Sequence, residues 1–316
     1  MRSHFKFTPP SKFTPQSFSG PTRGPIGNLW TIVVGSQMTA FLIPLLCIIF
    51  MLTGCASHAT RQKTADAIAN KHAFQSHIVK AGQFWLRTYQ KITNPALPYV
   101  FYIEGDGFAF KNKRTISEDP TPKSSMMLRL AAMDYRSNVV YMARPCQYLE
   151  AGAMEHCDNT YWSRKRLSPE VVDGMNEAII SISKGQDIHL VGLSGGGGIA
   201  VLIADRNKKV RSIVTLAGLL DHKLFTIHHF PEERRLNASL IGSLNPIDVA
   251  YRLNKIPQLH ISGGKDAIVR PSIADAFVRR SNSPCVKHEI LSNVSHDKGW
   301  EKAWKEQLYN HVTCNN

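Results

Sequence analysis

The chain has 316 residues, 43% of them hydrophobic, and its 38 Lys and Arg outweigh 24 Asp and Glu to leave a net charge of +14. That length suits one large domain or two small ones. The positive charge forms no dense Lys/Arg cluster with interleaved aromatics, which disfavours nucleic acid as a partner, and no Cys-x-x-Cys or His-x-x-x-His pair offers a metal site.

The N-terminus reads as an export segment. Residues 1–37 are rich in Pro, Ser, Gly and Phe and carry Arg2, Lys6, Lys12 and Arg23 with no acid. An apolar run from Ala40 to Leu52 follows, too short for a comfortable membrane span, and ends in Leu52-Thr-Gly-Cys55. This pattern resembles the lipobox of bacterial lipoproteins. The resemblance implies a signal peptide over 1–54 with a long n-region, lipidation of Cys55, and a lipidated tether over 55–75. The alternative is an uncleaved anchor with an incidental cysteine, and Met38 is an alternative start. By the same resemblance, Ala56 in place of Asp implies the periplasmic face of the outer membrane, with the membrane reached through the lipid anchor. Without the four N-terminal basic residues the mature part is near +10. That charge either favours anionic headgroups or acidic substrates or is simply a solvated surface.

Outside the signal, Cys146, Cys157, Cys285 and Cys314 form an even set, as expected in an oxidising compartment. Three pairings exist; Cys146–Cys157 and Cys285–Cys314 are the choices local in sequence.

From 76 to 316 the chain alternates strand and helix signals. Ser76–Lys80 and Phe84–Tyr89 are short β-like runs, and Leu97–Ile103 is a buried strand entering Glu104-Gly-Asp106-Gly107. Helical spacing over Thr121–Met133 precedes a strand at Asn138–Ala143. Ser168–Ser183 is helical, with Ser168-Pro-Glu as cap and first turn. A strand at Asp187–Leu193 is followed at once by a helix through Asp205. Strands at Val210–Leu216, Gln258–Ser262 and Val286–Leu291, and helices at Pro271–Arg279 and Asp297–Tyr309, complete the pattern. Such alternation predicts an α/β fold with a mostly parallel central sheet and helices on both faces. The stretch 221–245 breaks the alternation and reads as a lid insertion.

The chemistry centres on Gly192-Leu-Ser194-Gly-Gly196, a G-x-S-x-G match. Alone it is weak, expected by chance in roughly one chain in ten of this size. Its setting between a strand and a helix is what gives it weight, because that turn exposes the serine Oγ for attack on a carbonyl. A phosphate-cradling glycine loop is the rival reading, but no lysine follows the glycines. Two loops downstream supply partners, each directly after a strand: Gly263-Gly-Lys-Asp266 and Asn293-Val-Ser-His296. A serine needs a base to take its proton, and the base needs an acid to orient it.

The order Ser…Asp…His resembles α/β-hydrolase-fold serine hydrolases over roughly residues 76 to 310. The resemblance implies Ser194 as nucleophile, His296 as general base and then acid, and Asp266 as the orienting carboxylate, with Asp221 as the runner-up acid. It implies an oxyanion hole from the N–H of Gly195 and of Asp106, with Gly107 as alternate. Two acids beside an oxyanion are awkward unless they face away or meet a cation, and Arg144 is the candidate partner. The Glu104–Gly107 loop, with Ala143-Arg-Pro-Cys146 and Tyr161-Trp162, is similar to a subgroup of bacterial lipoprotein hydrolases. The expected activity is cleavage of a carboxylic ester or thioester through an acyl-enzyme, on a small-molecule or lipid acyl substrate, with no cofactor and no metal. An amidase or peptidase using the same triad, or a catalytically silent binding scaffold, are the alternatives.

Overall fold

A computed structural model of the chain describes residues 58–112, 115–229, 242–308 and 313–314. The expected signal peptide and Cys55 lie outside the described residues. Every described element belongs to the unit Cys55–Asn316.

Eight strands form one sheet: β1 (Gln75–Ala81), β2 (Phe84–Ile92), β3 (Tyr99–Ile103), β6 (Asn138–Met142), β7 (Ile188–Leu193), β8 (Val210–Leu216), β9 (Gln258–Gly263) and β10 (Val286–Leu291). Their spatial order is β1-β2-β6-β3-β7-β8-β9-β10, and β4 (Phe110–Asn112) pairs with β5 (Thr115–Ile116) in a separate ribbon. The β1–β2 hairpin and the β2–β6 pair are antiparallel, and every later pair is parallel. Each residue of β3 and β6 is buried. Continuous apolar runs such as Tyr99-Val-Phe-Tyr-Ile103 suit strands covered on both faces. The expected α/β architecture is what the chain adopts.

Helices α1 (His58–Lys71), α2 (Met126–Ala132), α3 (Pro169–Ser183), α4 (Gly195–Ala204), α5 (His222–His229), α6 (Pro271–Ser281) and α7 (Trp300–Gln307) fill the connections. Helix α3 starts as its sequence predicts, with Ser168 at the cap and proline in the first turn, and it ends at Lys184 in the left-handed conformation. Helix α4 is buried along its whole length, in keeping with its lack of charge. Helix α2 is shorter than the helical spacing over Thr121–Met133 suggests.

One difference concerns the stretch read as a tether. Residues His58–Lys71 form α1, which sets Ala65 and Ala69 into the core. It is fastened by the Tyr89 hydroxyl donating to Asp66 at 2.7 Å and by Arg61 on Asp119 at 2.5 Å. Its buried face consists of small alanines on a polar helix, so the sequence shows no apolar stripe to announce it.

The chain leaves β2 for β3, returns to β6 between them, then crosses to β7 on the far side of β3. The crevice of a doubly wound sheet opens at such a reversal, outside the carboxyl ends of the strands. Here those ends carry Glu104–Gly107 after β3 and Ser194 after β7.

Candidate active site

Ser194 stands between β7 and α4 with φ 51° and ψ −119°, a left-handed backbone that a residue with a Cβ adopts only under constraint. The constraint is close approach on both sides. A Cβ on Gly192 would lie 2.3 Å from the Gly196 carbonyl oxygen, and one on Gly196 would lie 2.4 Å from the carbonyl oxygens of Ile103 and Glu104. Only glycine fits at either place, which explains why the motif brackets its serine with them. Two hydrogen bonds lock the turn: Ser194 N–H donates to the Leu216 carbonyl at 2.9 Å, and Leu219 N–H donates to the Ser194 carbonyl at 2.8 Å.

Asp266 follows β9 and His296 follows β10, and the structure brings them together. His296 Nδ1 lies 2.8 Å from Asp266 Oδ2. The other carboxylate oxygen of Asp266 accepts the N–H groups of Ile268 and Val269 at 2.8 and 2.9 Å. The carboxylate is thereby fixed and buried, and the tautomer that donates Nδ1–H to it leaves Nε2 as the acceptor of the imidazole. Trp300 Nε1 donates to the His296 carbonyl at 3.0 Å and steadies the loop. Ser194 and His296 line one cleft of about 810 Å³, with no direct hydrogen bond between their side chains. Such contacts often tighten only when substrate binds. Asp221, the runner-up acid, is occupied elsewhere: its Oδ1 accepts Lys223 N–H at 2.9 Å and Leu224 N–H at 3.2 Å, capping α5.

The Glu104–Gly107 loop lies against the serine turn. The Asp106 carboxylate fills the space where a Cβ on Gly195 would stand, with Oδ1 2.1 Å from that point. Gly105 N–H is taken by Glu104 Oε1 at 2.9 Å. The N–H groups of Asp106 and Gly107 have no acceptor among the described residues, as befits donors held for a ligand. Gly195 opens α4, so its N–H has no partner within the helix and lies at the positive end of the helix dipole.

The two acids of this loop are managed separately. Glu104 is buried, accepts from the Tyr141 hydroxyl at 2.8 Å, and its pKa is raised to about 7, chiefly by loss of solvation. Asp106 meets Arg144 at 3.3 Å, the expected partner, and also Arg166 at 3.0 Å. Although burial pushes the Asp106 pKa up, the two guanidinium groups outweigh it and hold the carboxyl below its usual value. Arg166 stands 60 residues from Asp106 and carries no local motif, so nothing in the sequence pointed to it. Cys146–Cys157 closes a disulfide within the segment bearing both arginines, and Cys285–Cys314 closes the second. Of the expected lid, α5 is described and sets Phe225, His228 and His229 into the cleft wall, while 230–241 lie outside the described residues.

No protein-family model matches the sequence, and a search of curated proteins finds no match. Solved structures do match. An esterase of Pyrococcus furiosus has a TM-score of 0.52 at 12% identity, over 76% of this chain and 91% of that one. An acylaminoacyl peptidase of Pyrococcus horikoshii has a TM-score of 0.51 at 12% identity, over 74% of this chain but only 39% of its own. A puromycin-hydrolysing peptidase of Mycobacterium tuberculosis has a TM-score of 0.50 at 16% identity, over 75% of this chain and 39% of its own. With the strand order above, these likenesses establish the α/β-hydrolase fold.

Proposed function

We propose that this α/β-hydrolase-fold chain is a serine hydrolase that cleaves a carboxylic ester or thioester through an acyl-enzyme, with Ser194, His296 and Asp266 as its triad. The observation that carries this is the His296–Asp266 pair, bonded at 2.8 Å, opening onto the same cleft as a serine held at φ 51°. In this reading His296 Nε2 takes the proton of Ser194 Oγ as the oxygen attacks the acyl carbon. The carbonyl π bond opens to an oxyanion, which the N–H groups of Gly195 and Asp106, with Gly107 as alternate, receive. The oxyanion collapses, the bond to the leaving oxygen or sulfur breaks, and His296 gives that atom its proton. Water then repeats the sequence, with His296 as base, and releases the acid and free Ser194. Asp266 holds the imidazole in the required tautomer and stabilises its charged form.

Extracytoplasmic placement by lipidation at Cys55 belongs to the same proposal. Its support is the Leu52-Thr-Gly-Cys55 sequence, together with two disulfides, which suit an oxidising compartment.

The test is covalent labelling with a fluorophosphonate. The folded wild-type chain is expected to take one label at Ser194, and Ser194→Ala none. Folded wild-type protein that stays unlabelled would favour a silent binding scaffold.

A further inference from the structure

Beside the triad sits a charge cluster that the hydrolytic steps do not use. Arg144 and Arg166 are 3% and 8% exposed, and both side chains converge on one carboxylate, that of Asp106. Glu104, the other acid nearby, bonds Gly105 N–H and the Tyr141 hydroxyl and forms no ion pair with either guanidinium, although Arg144 feels its charge. Two buried cations therefore have a single carboxylate in direct contact. An unbalanced buried charge is costly and is seldom kept without a counter-charge for at least part of the working cycle.

Both arginines leave a buried Nε without an acceptor, but only one of them lines the cleft. Arg144 also donates to the Arg166 carbonyl and does not line the cleft. Arg166 lines the cleft itself. It donates through Nη1 to Asp106, its Nε is buried without an acceptor, and its Nη2 has none among the described residues. The guanidinium stands 5.9 Å from the ring centroid of Phe225 on α5, which helps set its direction. A buried donor left unsatisfied calls for an explanation. The unclaimed Nη2 of this cleft-lining guanidinium suits an oxygen of a carboxylate or phosphate.

We propose that Arg166 binds an anionic oxygen group, carboxylate or phosphate, carried by the substrate that Ser194 attacks. This deepens the serine hydrolase reading and rests on it: the substrate class becomes anionic acyl esters or thioesters. The anion can belong to the acyl part or to the leaving group. The rival role for Arg166, general support of the oxyanion, acts on every ester alike and so predicts no discrimination by charge.

The experiment uses two matched pairs of substrates on the full chain. The acyl arm compares p-nitrophenyl hemiglutarate with p-nitrophenyl valerate. The leaving-group arm compares a monoacylglycerol phosphate with the corresponding monoacylglycerol. Wild type is expected to favour the anionic member of one pair by about 10-fold or more in kcat/KM, chiefly through KM. Arg166→Gln should bring that ratio to about one, and Arg166→Lys should restore part of it. Equal rates within both pairs, or a preference that survives Arg166→Gln, overturns the proposal. A second measurement does not depend on turnover. Glutarate or inorganic phosphate should raise the melting temperature of Ser194→Ala, and adding Arg166→Gln should abolish the rise. If wild type hydrolyses nothing yet shows this rise, the anion site stands and the hydrolase reading falls. No rise with either anion, in a chain that hydrolyses neutral esters, leaves the hydrolase reading and removes the site. If Arg166→Gln fails to fold, the wild-type ratios and the Ser194→Ala rise decide alone.

Discussion

Two serine–histidine–aspartate sets stand out among the described residues, and the one that looks more complete by hydrogen bonding is the less suited to chemistry. In the second set Ser262 Oγ is 2.8 Å from His288 Nε2, and His288 Nδ1 is 2.6 Å from Asp275 Oδ1. The first set has only the His296–Asp266 leg closed, at 2.8 Å. Burial runs in opposite directions. In the second set the serine is 2% exposed inside β9, while the Asp275 side chain is 44% exposed to water. In the first, Asp266 is the buried end and the serine reaches the cleft. A nucleophile needs an approach path, a backbone that presents it, and N–H donors where negative charge will form. Ser194 has the glycine-bracketed turn and, in the proposed reading, the Gly195, Asp106 and Gly107 N–H groups, whereas Ser262 is an ordinary strand residue paired opposite Ile290. The second set links β9, β10 and α6 through polar contacts, and hydrogen-bond connectivity alone does not define a triad.

The widest separation between the sets should appear in turnover. Ser194→Ala and His296→Ala are each expected to lower kcat by about 10³-fold or more, leaving folding intact. Ser262→Ala and His288→Gln should keep kcat within a few-fold and lose on the order of 1 kcal/mol of stability, the worth of a buried hydrogen bond. Ester hydrolysis and urea melts on the four variants check both halves. Lost turnover in Ser262→Ala with an unchanged melt would reverse the assignment.

How far the sequence could carry this comparison follows from what sequence patterns encode. Strand–helix alternation is written in local periodicity, so the sheet and the placement of Ser194, Asp266 and His296 at strand ends were legible. The G-x-S-x-G pattern was legible because Gly192 and Gly196 answer a local steric demand. The second set was not, since Ser262, Asp275 and His288 meet only through β9–β10 pairing and the packing of α6, and no motif marks them. Arg166 was invisible for the same reason, while Arg144 was legible because it stands two residues past the end of β6. Helix α1 escaped because alanines such as Ala65 and Ala69 bury a face without an apolar stripe.

The disulfides sharpen the contrast, since each lies near one set. Cys146–Cys157 sits next to Gln147, whose side chain donates to the Gly105 carbonyl at 3.0 Å and accepts Arg144 N–H at 3.0 Å. Cys285–Cys314 ties the residue before β10 to the C-terminal segment. With separations of 11 and 29 residues, chain entropy gives each crosslink about 3 kcal/mol. Replacing either pair by serines should cost stability on that order. Only loss of Cys146–Cys157 should also lower kcat, by about 10-fold, because it loosens the loop that carries the proposed oxyanion donors. Turnover measured at a temperature where both variants remain folded decides it, and equal loss in the two would break the link between this disulfide and the first set.

The last contrast concerns pH. The first set keeps a carboxyl out of water beside it, Glu104 at 3% exposure, whereas the second exposes its acid. The Glu104 pKa rises from 4.5 to about 7, mainly through lost solvation, with the Gly105 N–H, the Tyr141 hydroxyl, Arg129 and Arg144 opposing the rise. A folded pKa above the unfolded one means that the fold favours the protonated acid. Its contribution is whole below the unfolded value and is lost as pH climbs through the folded one. At about 1.4 kcal/mol per unit, the chain should be on the order of 2 kcal/mol less stable at about pH 8 than at about pH 5.5 from this group alone. Other groups titrate in that window, so the quantity to measure is the difference between wild type and Glu104→Gln. Urea midpoints across the range should fall more steeply with pH for wild type than for the variant. Parallel curves would mean that Glu104 ionises at little cost, and that the first set carries no more buried charge strain than the second.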